Sequence, residues 1–338
     1  MKNTQSSITV SAPGKIHLMG EHAVVYGKPA LLAAIDKRCF VELTKRDDKK
    51  IVLIASNTTD FVTITEEEIL TKDKKNLQLF DYVMLIMQQA LLYYHKSFPS
   101  GFSLVINNQI PQGRGLGSSA AIAVSVAGAI TLFLRENFDK EKINEIAFLA
   151  EQFVHGTPSG GDNSASCFGG FVWFRKETND LKIIQQVSLE LTEEMKSSFY
   201  LLDTGKPDET TGEMVGLVKK FVDKNPKKAK KIFDEQEELA KNLVTALVHN
   251  IDSVLEIIRK GEKNLEVLGV VSSSVKKIVK VIEKAGGAAK ICGAGGREKG
   301  SGMILGYHTN MSYMKEVFAK ENLSMYPITL GCEGVRGN

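Results

Sequence analysis

Cysteine is scarce in this chain of 338 residues: there are four, Cys39, Cys167, Cys292 and Cys332. They are widely spaced and form no C-x-x-C pair, which argues against a zinc site and against a disulfide framework in a chain of this size. Reduced, mostly buried thiols are the expectation, as suits the cytoplasm. An excess of one charge is missing too. Lys and Arg number 43 and Asp and Glu 40, for a formal net charge of +3. That balance weakly suits an anionic ligand and is far from the footprint of a nucleic-acid binder. Residues 1–8 are polar, so no signal peptide is read. Low-complexity linkers and internal repeats are absent. Hydrophobic residues make up 43% of the chain and charged residues 25%, ordinary globular usage that excludes disordered and collagen-like classes. The length is comfortable for two compact units.

Long apolar runs are nearly absent as well. Residues 117–134 form the one uncharged stretch of membrane-spanning length, 18 residues. It is rich in Ser, Ala and Gly and begins directly at a glycine loop. A helix buried in a soluble core is therefore expected, with no membrane association.

What is present reads as mixed α and β. Residues 6–11, 39–43, 51–55, 61–64 and 102–106 have strand character, with polar turns at 47–50 and 56–60. Between them, Phe80, Val83, Met84, Met87, Ala90, Leu91 and Tyr94 fall on one helical face. Helices are predicted over about 118–135 and 140–155, and a strand over 169–174. The chain turns polar at 178–182, and a boundary is placed at 185/186. Beyond it come a strand (199–203), a run of helices (210–286), two strands (288–292 and 303–307), a helix (312–321) and a last strand (325–329). The basic run 227–231 and the acidic run 234–238 read as a solvated helix with i,i+4 pairing.

Three constellations carry chemistry. In the first, residues 111–121, Gly113, Gly115 and Gly117 let the backbone take positive φ and approach a ligand closely. The helix that follows offers unpaired N–H groups and the positive end of its dipole, an anion site best matched by phosphate. Ser118 and Ser119 add hydroxyls for a phosphate oxygen or Mg²⁺. No Lys-Ser/Thr follows as in a Walker loop, and the glycine spacing is not that of a dinucleotide fingerprint. The competing reading is a Gly-rich turn whose serines only cap the helix. The second constellation runs from Glu151 through the turn at 158–161 to Asp162, a carboxylate suited to accepting a hydroxyl proton. Its competitor is Asp162 as a helix N-cap. The third is residues 11–27, with Lys15 after a Pro-Gly turn that ends the first strand, then His17, Glu21 and His22. The histidine spacing matches no metal site, and His17 reads as a satisfied, partly buried side chain.

Taken together and in this order, the three segments, with Gly293-Ala294-Gly295-Gly296 near the end, resemble the GHMP kinase family. The resemblance runs through nearly the whole chain. Within the family it is nearest to the mevalonate kinases, on residues 12–15, 20–27 and 158–163 and on an acid eleven residues before Asp162. It implies an α+β, two-lobed fold. Residues 1–185 would form an N-terminal lobe like domain 2 of ribosomal protein S5, and residues 186–338 a ferredoxin-like lobe with added helices. The implied reaction is ATP-dependent phosphorylation of mevalonate to 5-phosphomevalonate, early in isoprenoid synthesis. Another small-molecule kinase of the family, or a non-catalytic ligand-binding relative, is the alternative.

The same resemblance implies residue roles. Asp162 would face the substrate hydroxyl and Lys15 would neutralise the transferring group. Gly113, Arg114, Gly115, Leu116, Gly117, Ser118, Ser119 and Ala120 would hold ATP. Glu151 with Ser118 or Ser119 would hold Mg²⁺. Glu21, His22, Thr210, Gly293 and Ala294 would lie on the substrate side. A homodimer fits the family, though nothing in the residues decides it. The chain departs from the family after Gly296, where 297–302 is longer and charged. There Arg297 or Lys299 would either contact phosphate or be solvated. Gly161 also replaces the usual aliphatic residue before the aspartate.

Overall fold

The computed structural model of the chain describes residues 7–56, 58–71, 78–155, 158–178, 181–249 and 251–338, without the side chains of His155 and Ile251. The first strand, β1 (Ser7–Met19), is followed by a short 3-10 turn (Ala23–Tyr26), β2 (Ala30–Lys45), β3 (Ile51–Ala55) and β4 (Phe61–Ile64). Next come helices α1 (Glu66–Thr71) and α2 (Leu79–Tyr94), strand β5 (Phe102–Asn108), then α3 (Ser118–Phe133), α4 (Lys140–His155) and α5 (Gly161–Phe168). Strands β6 (Phe171–Lys176) and β7 (Lys182–Val187), helix α6 (Glu193–Ser197) and strand β8 (Phe199–Asp203) continue the chain. Four helices follow: α7 (Thr211–Lys224), α8 (Pro226–His249), α9 (Ile251–Leu268) and α10 (Ser273–Lys284). The last elements are β9 (Ala288–Ile291), β10 (Met303–Tyr307), α11 (Met311–Lys320), β11 (Met325–Pro327) and β12 (Arg336–Gly337).

Among the described residues the strands form two sheets. The first runs β12-β1-β2-β5-β3-β4, with β6 also paired to β2 and β7 to β6. The second runs β11-β8-β10-β9. Helix α3 is the backbone of the first unit. Fourteen of its 16 residues are buried, so it is apolar all round and packs against β1, β2, α2 and α4. Its small residues allow that crowding: a Cβ on Gly128 would stand 3.0 Å from Val10 Cγ1. This is the uncharged run of the sequence, and it lies inside the protein. No helix among the described residues is long and apolar enough to cross a membrane.

One expectation needs correction. The first strand does not end at Pro13-Gly14. It continues to Met19, still paired with β2, with register shifts between Pro13 and Lys15 and between His17 and Met19. Proline cannot donate to the ladder, and the chain absorbs that loss as a bulge rather than a strand end. The polar stretch after residue 178 carries regular elements. It contains β7 and α6, and β7 is exposed along most of its length.

The chain's end returns to the first sheet, where β12 pairs with β1. Arg38 fixes it: its guanidinium donates to Ser11 O, Glu333 O and Gly334 O at 2.9, 2.7 and 2.8 Å. The charged runs on α8 do pair locally, Lys230 with Asp234 at 2.6 Å. Lys28 also reaches Asp234 and Glu237 from the first unit, at 2.6 and 2.9 Å. All four cysteines are free thiols, three of them buried.

Candidate active site

The bulge in β1 creates the centre of the site. Beyond it, Lys15 and His17 point to the same face of the strand, two residues apart. Lys15 is 2% exposed, and its backbone N–H donates to Leu116 O at 2.9 Å. Gly14 allows this contact, since a Cβ there would lie 2.9 Å from the same carbonyl. The glycine loop is thus bonded directly to the strand that carries the lysine. The Lys15 ammonium stands 3.0 Å from Asp162 Oδ2 and 3.3 Å from both Gly115 O and His17 Nδ1.

Gly113, Gly115 and Gly117 all take positive φ, 66°, 83° and 72°, as the sequence requires of them. Gly117 must be glycine for a second reason: a Cβ would stand 2.7 Å from Lys15 Cγ. It is the N-cap of α3, and no side chain caps that helix. The serines are therefore not spent as caps, and the first-turn amides of α3 keep their anion-binding character. Ser118 Oγ accepts from Asn108 Nδ2 at 2.8 Å. Leu116 and Ala120 are buried and reach the loop's ligand side only through their backbones. Arg114 lies 3.2 Å from Asp203, and its carbonyl accepts from Met303 N at 2.9 Å. The loop is therefore pinned to the second sheet as well as to the first.

Asp162 is not the N-cap of α5; Gly160 is, with Asp162 in the first turn. Its carboxylate is half-exposed while Lys15 is buried, so the pair opens to one side. Behind it, Ser164 Oγ donates to Gly160 O at 2.6 Å and Asn163 Nδ2 to Asn144 Oδ1 at 2.6 Å. Ser166 Oγ donates to Pro13 O at 2.6 Å, fixing α5 to the bulge. Glu151 on α4 is 6% exposed, and its carboxylate accepts from the Tyr82 hydroxyl. That phenol also lies 3.4 Å from Ser119 O, which places Glu151 beside the start of α3. Burial, then the charge of Glu151, hold the phenol well above its ordinary pKa, so it stays a donor. A carboxylate with nearby hydroxyls offers the hard oxygen donors that Mg²⁺ takes, the ion keeping the rest of its shell for water and phosphate oxygens. Among the described residues no cluster of three or more His, Cys, Asp or Glu could hold a metal.

Across the loop, a Cβ on Gly293 would come 3.1 Å from Gly115 Cα, so the two glycine turns pack backbone to backbone. His22, at φ 58°, bonds Ala294 O through Nε2 at 2.9 Å. A carbonyl only accepts, so Nε2 carries the proton. Burial lowers the pKa of His22 and keeps the ring neutral. Glu21 is buried against the fully buried Lys290. Burial raises its pKa, with Lys290 pulling the other way. Thr210 sits apart from this network. Its hydroxyl accepts from Glu213 N at 3.2 Å and its backbone N–H donates to Glu213 Oε2 at 2.7 Å, forming the capping box of α7. The long segment after Gly296 is held down: Glu209 accepts from the backbone N–H groups of Arg297 and Glu298 at 3.1 and 3.0 Å, and Lys299 pairs with Asp208 at 3.1 Å.

Four residues of this network were not singled out from the sequence: Tyr82, Asn108, Ser166 and Lys290. Tyr82 lies on a core helix and Lys290 in a short strand, where nothing local marks either. Only the i, i+4 spacing of Asp162 and Ser166 on a short helix gives a local signal that both lie on one face.

Comparison with known proteins finds a matching family and relatives. Residues 82–170 match the model of the GHMP kinase N-terminal domain, and residues 2–45 match the galactokinase galactose-binding signature. The chain is 33% identical to the mevalonate kinase of Pyrococcus furiosus and 31% identical to that of Pyrococcus abyssi, each over 301 residues and 86% of both chains. A crystal structure of the Methanococcus jannaschii mevalonate kinase superposes with a TM-score of 0.83 at 23% identity, over 98% of this chain and 99% of that one. That likeness shows the fold.

Proposed function

The chain belongs to the GHMP kinase family, on its mevalonate kinase branch, and we propose that it transfers the γ-phosphoryl group of ATP to the primary hydroxyl of mevalonate. The products are 5-phosphomevalonate and ADP. The observation that carries this reading is the Lys15–Asp162 pair at 3.0 Å, set against a loop of three positive-φ glycines at the start of α3. Identity to mevalonate kinases above 30% over 86% of the chain supports mevalonate as the acceptor.

Phosphoryl transfer depends mostly on positioning and charge neutralisation. The backbone of residues 113–120 would cradle the phosphates, with the first-turn amides of α3 donating to their oxygens. Glu151 with Ser118 or Ser119 would hold Mg²⁺, which when bound neutralises charge on the phosphates. Lys15 sets a positive charge beside the transferring group and so neutralises it. Asp162 orients the acceptor hydroxyl and takes its proton as the new O–P bond forms; the old bond breaks and ADP leaves with the electron pair. Glu21, His22, Gly293 and Ala294 form the wall on the acceptor side. Thr210 would join it only by giving up its capping bonds to Glu213.

The test is ADP release by purified protein over a panel of alcohols: mevalonate, phosphomevalonate, homoserine and galactose. Mevalonate is expected to be turned over well above the others. No turnover with mevalonate, but turnover with another alcohol, would replace this reading.

A further inference from the structure

We propose that His17 is a positioning residue for phosphoryl transfer, its Nδ1 accepting one hydrogen of the Lys15 ammonium and so fixing where that charge points. The proposal rests on Lys15 being the cation of the kinase reaction. An ammonium has three N–H donors and no acceptor. Around Lys15 Nζ stand three acceptors: Asp162 Oδ2 at 3.0 Å, Gly115 O at 3.3 Å and His17 Nδ1 at 3.3 Å. The count is complete, and the three acceptors differ in kind. Asp162 is the half-exposed carboxylate that meets the acceptor hydroxyl. Gly115 O belongs to the loop that receives the nucleotide. His17 alone is a fixed, buried acceptor on the same strand as the lysine.

Its fixity has a visible cause. The backbone N–H of His17 donates to Cys292 O at 3.4 Å, and its carbonyl accepts from Lys290 Nζ at 3.3 Å. Both contacts are with the strand that leads into the Gly293–Gly296 turn. His17 therefore ties the position of the ammonium to the wall across the site. Without it, a buried ammonium loses an acceptor and leans on Asp162, the group that must stay free to take a proton.

The imidazole can accept only while Nδ1 is unprotonated. Burial, then the charge of Lys15, push the His17 pKa down to about 3. Lys290 and His22 act in the same direction, and Asp162 opposes them. The ring is therefore neutral, with its proton on Nε2, at any working pH.

The experiment compares His17→Leu with His17→Asn. Leucine fills the space and accepts nothing, whereas the Asn Oδ1 takes roughly the place of Nδ1. A hydrogen bond to a charged group sets the scale: His17→Leu should lower kcat about 10- to 100-fold with the KM for ATP little changed. His17→Asn should recover kcat to within about threefold of wild type. A leucine variant at the wild-type kcat, or an asparagine variant as slow as the leucine one, overturns the proposal. A second readout needs no turnover. In protein labelled with ¹⁵N-histidine, His17 should be neutral with Nδ1 unprotonated from pH 5 to pH 8, and Lys15→Met should shift its Nδ1 resonance. A protonated Nδ1, or a resonance that Lys15→Met leaves in place, also overturns it. If wild type does not phosphorylate mevalonate, the function assigned above fails, while the resonance still decides the role of His17.

Discussion

A single carboxylate, Asp162, separates the two ways of using the Lys15 ammonium. While Asp162 is charged, Lys15 is held at 3.0 Å and the site has both a cation for the phosphoryl group and an acceptor for the hydroxyl proton. Asp162→Asn keeps the size of the side chain and its place in the first turn of α5, and removes the proton acceptor. Steady-state ADP release should then show kcat lower by about 10²–10⁴-fold, the usual scale for general acid–base catalysis, with the KM for ATP nearly unchanged. A rate near wild type would remove Asp162 from the mechanism. Lys15, Glu151 and Asp162 took their roles in the sequence from the family resemblance, because a lysine after Pro-Gly, an acid near a helix end and an aspartate after a glycine turn are each open to a plain structural reading. Tyr82 and Lys290 were not legible. Their roles come from burial against distant segments, the phenol against Glu151 and the ammonium against Glu21, and no local pattern records such contacts.

The glycine loop with α3 is the element that makes a phosphate site from backbone alone. Its glycines serve two ends: positive φ for the turn, and room for the opposite wall. A Cβ on Gly115 would make ordinary contact with Gly293 Cα at 3.5 Å, but its φ of 83° is a left-handed conformation that a side chain strains. Gly115→Val adds a branched side chain to a left-handed backbone and pushes it toward that wall. ATP affinity, measured by titration with the nucleotide alone, should fall by about tenfold or more. Unchanged binding would move the nucleotide away from this loop. At this scale periodicity served the sequence reading well for α2 and α4, while α3, buried on nearly every side, was marked by its uncharged run behind the glycine loop. It failed where an element is decided by its partners. The second half of β1 is a strand because β2 pairs with it past the bulge, and β7 is a strand because β6 offers it an edge.

Across the whole molecule, the two sheets meet through buried charge. Lys290, fully buried, reaches Glu21 from β9, and Glu262 on α9, 1% exposed, accepts from Ile291 N at 3.0 Å. Lys290 pairs with Glu21 and acts on Glu262 only through its charge, and an oxygen of each carboxylate, Glu21 Oε2 and Glu262 Oε1, has no hydrogen-bond partner. The system lowers its cost by keeping a proton on Glu262. Burial raises that carboxyl from 4.5 to about 8, against the opposing pull of the Ile291 N–H and Lys290. The linkage has a definite sign. The folded protein holds a proton that the unfolded chain has already released, so this contribution to stability is full below pH 4.5 and is lost as the pH rises through about 8. Glu262→Gln keeps an oxygen that can accept from Ile291 N and removes the proton exchange. Denaturant unfolding at pH 5 and pH 8.5 should show the variant gaining on wild type by about 1–3 kcal/mol between the two conditions. Other titrating groups cancel in that difference. A gap that stays constant over this range would mean that Glu262 is already ionised in the fold and that Lys290 balances two full charges across the junction of the sheets.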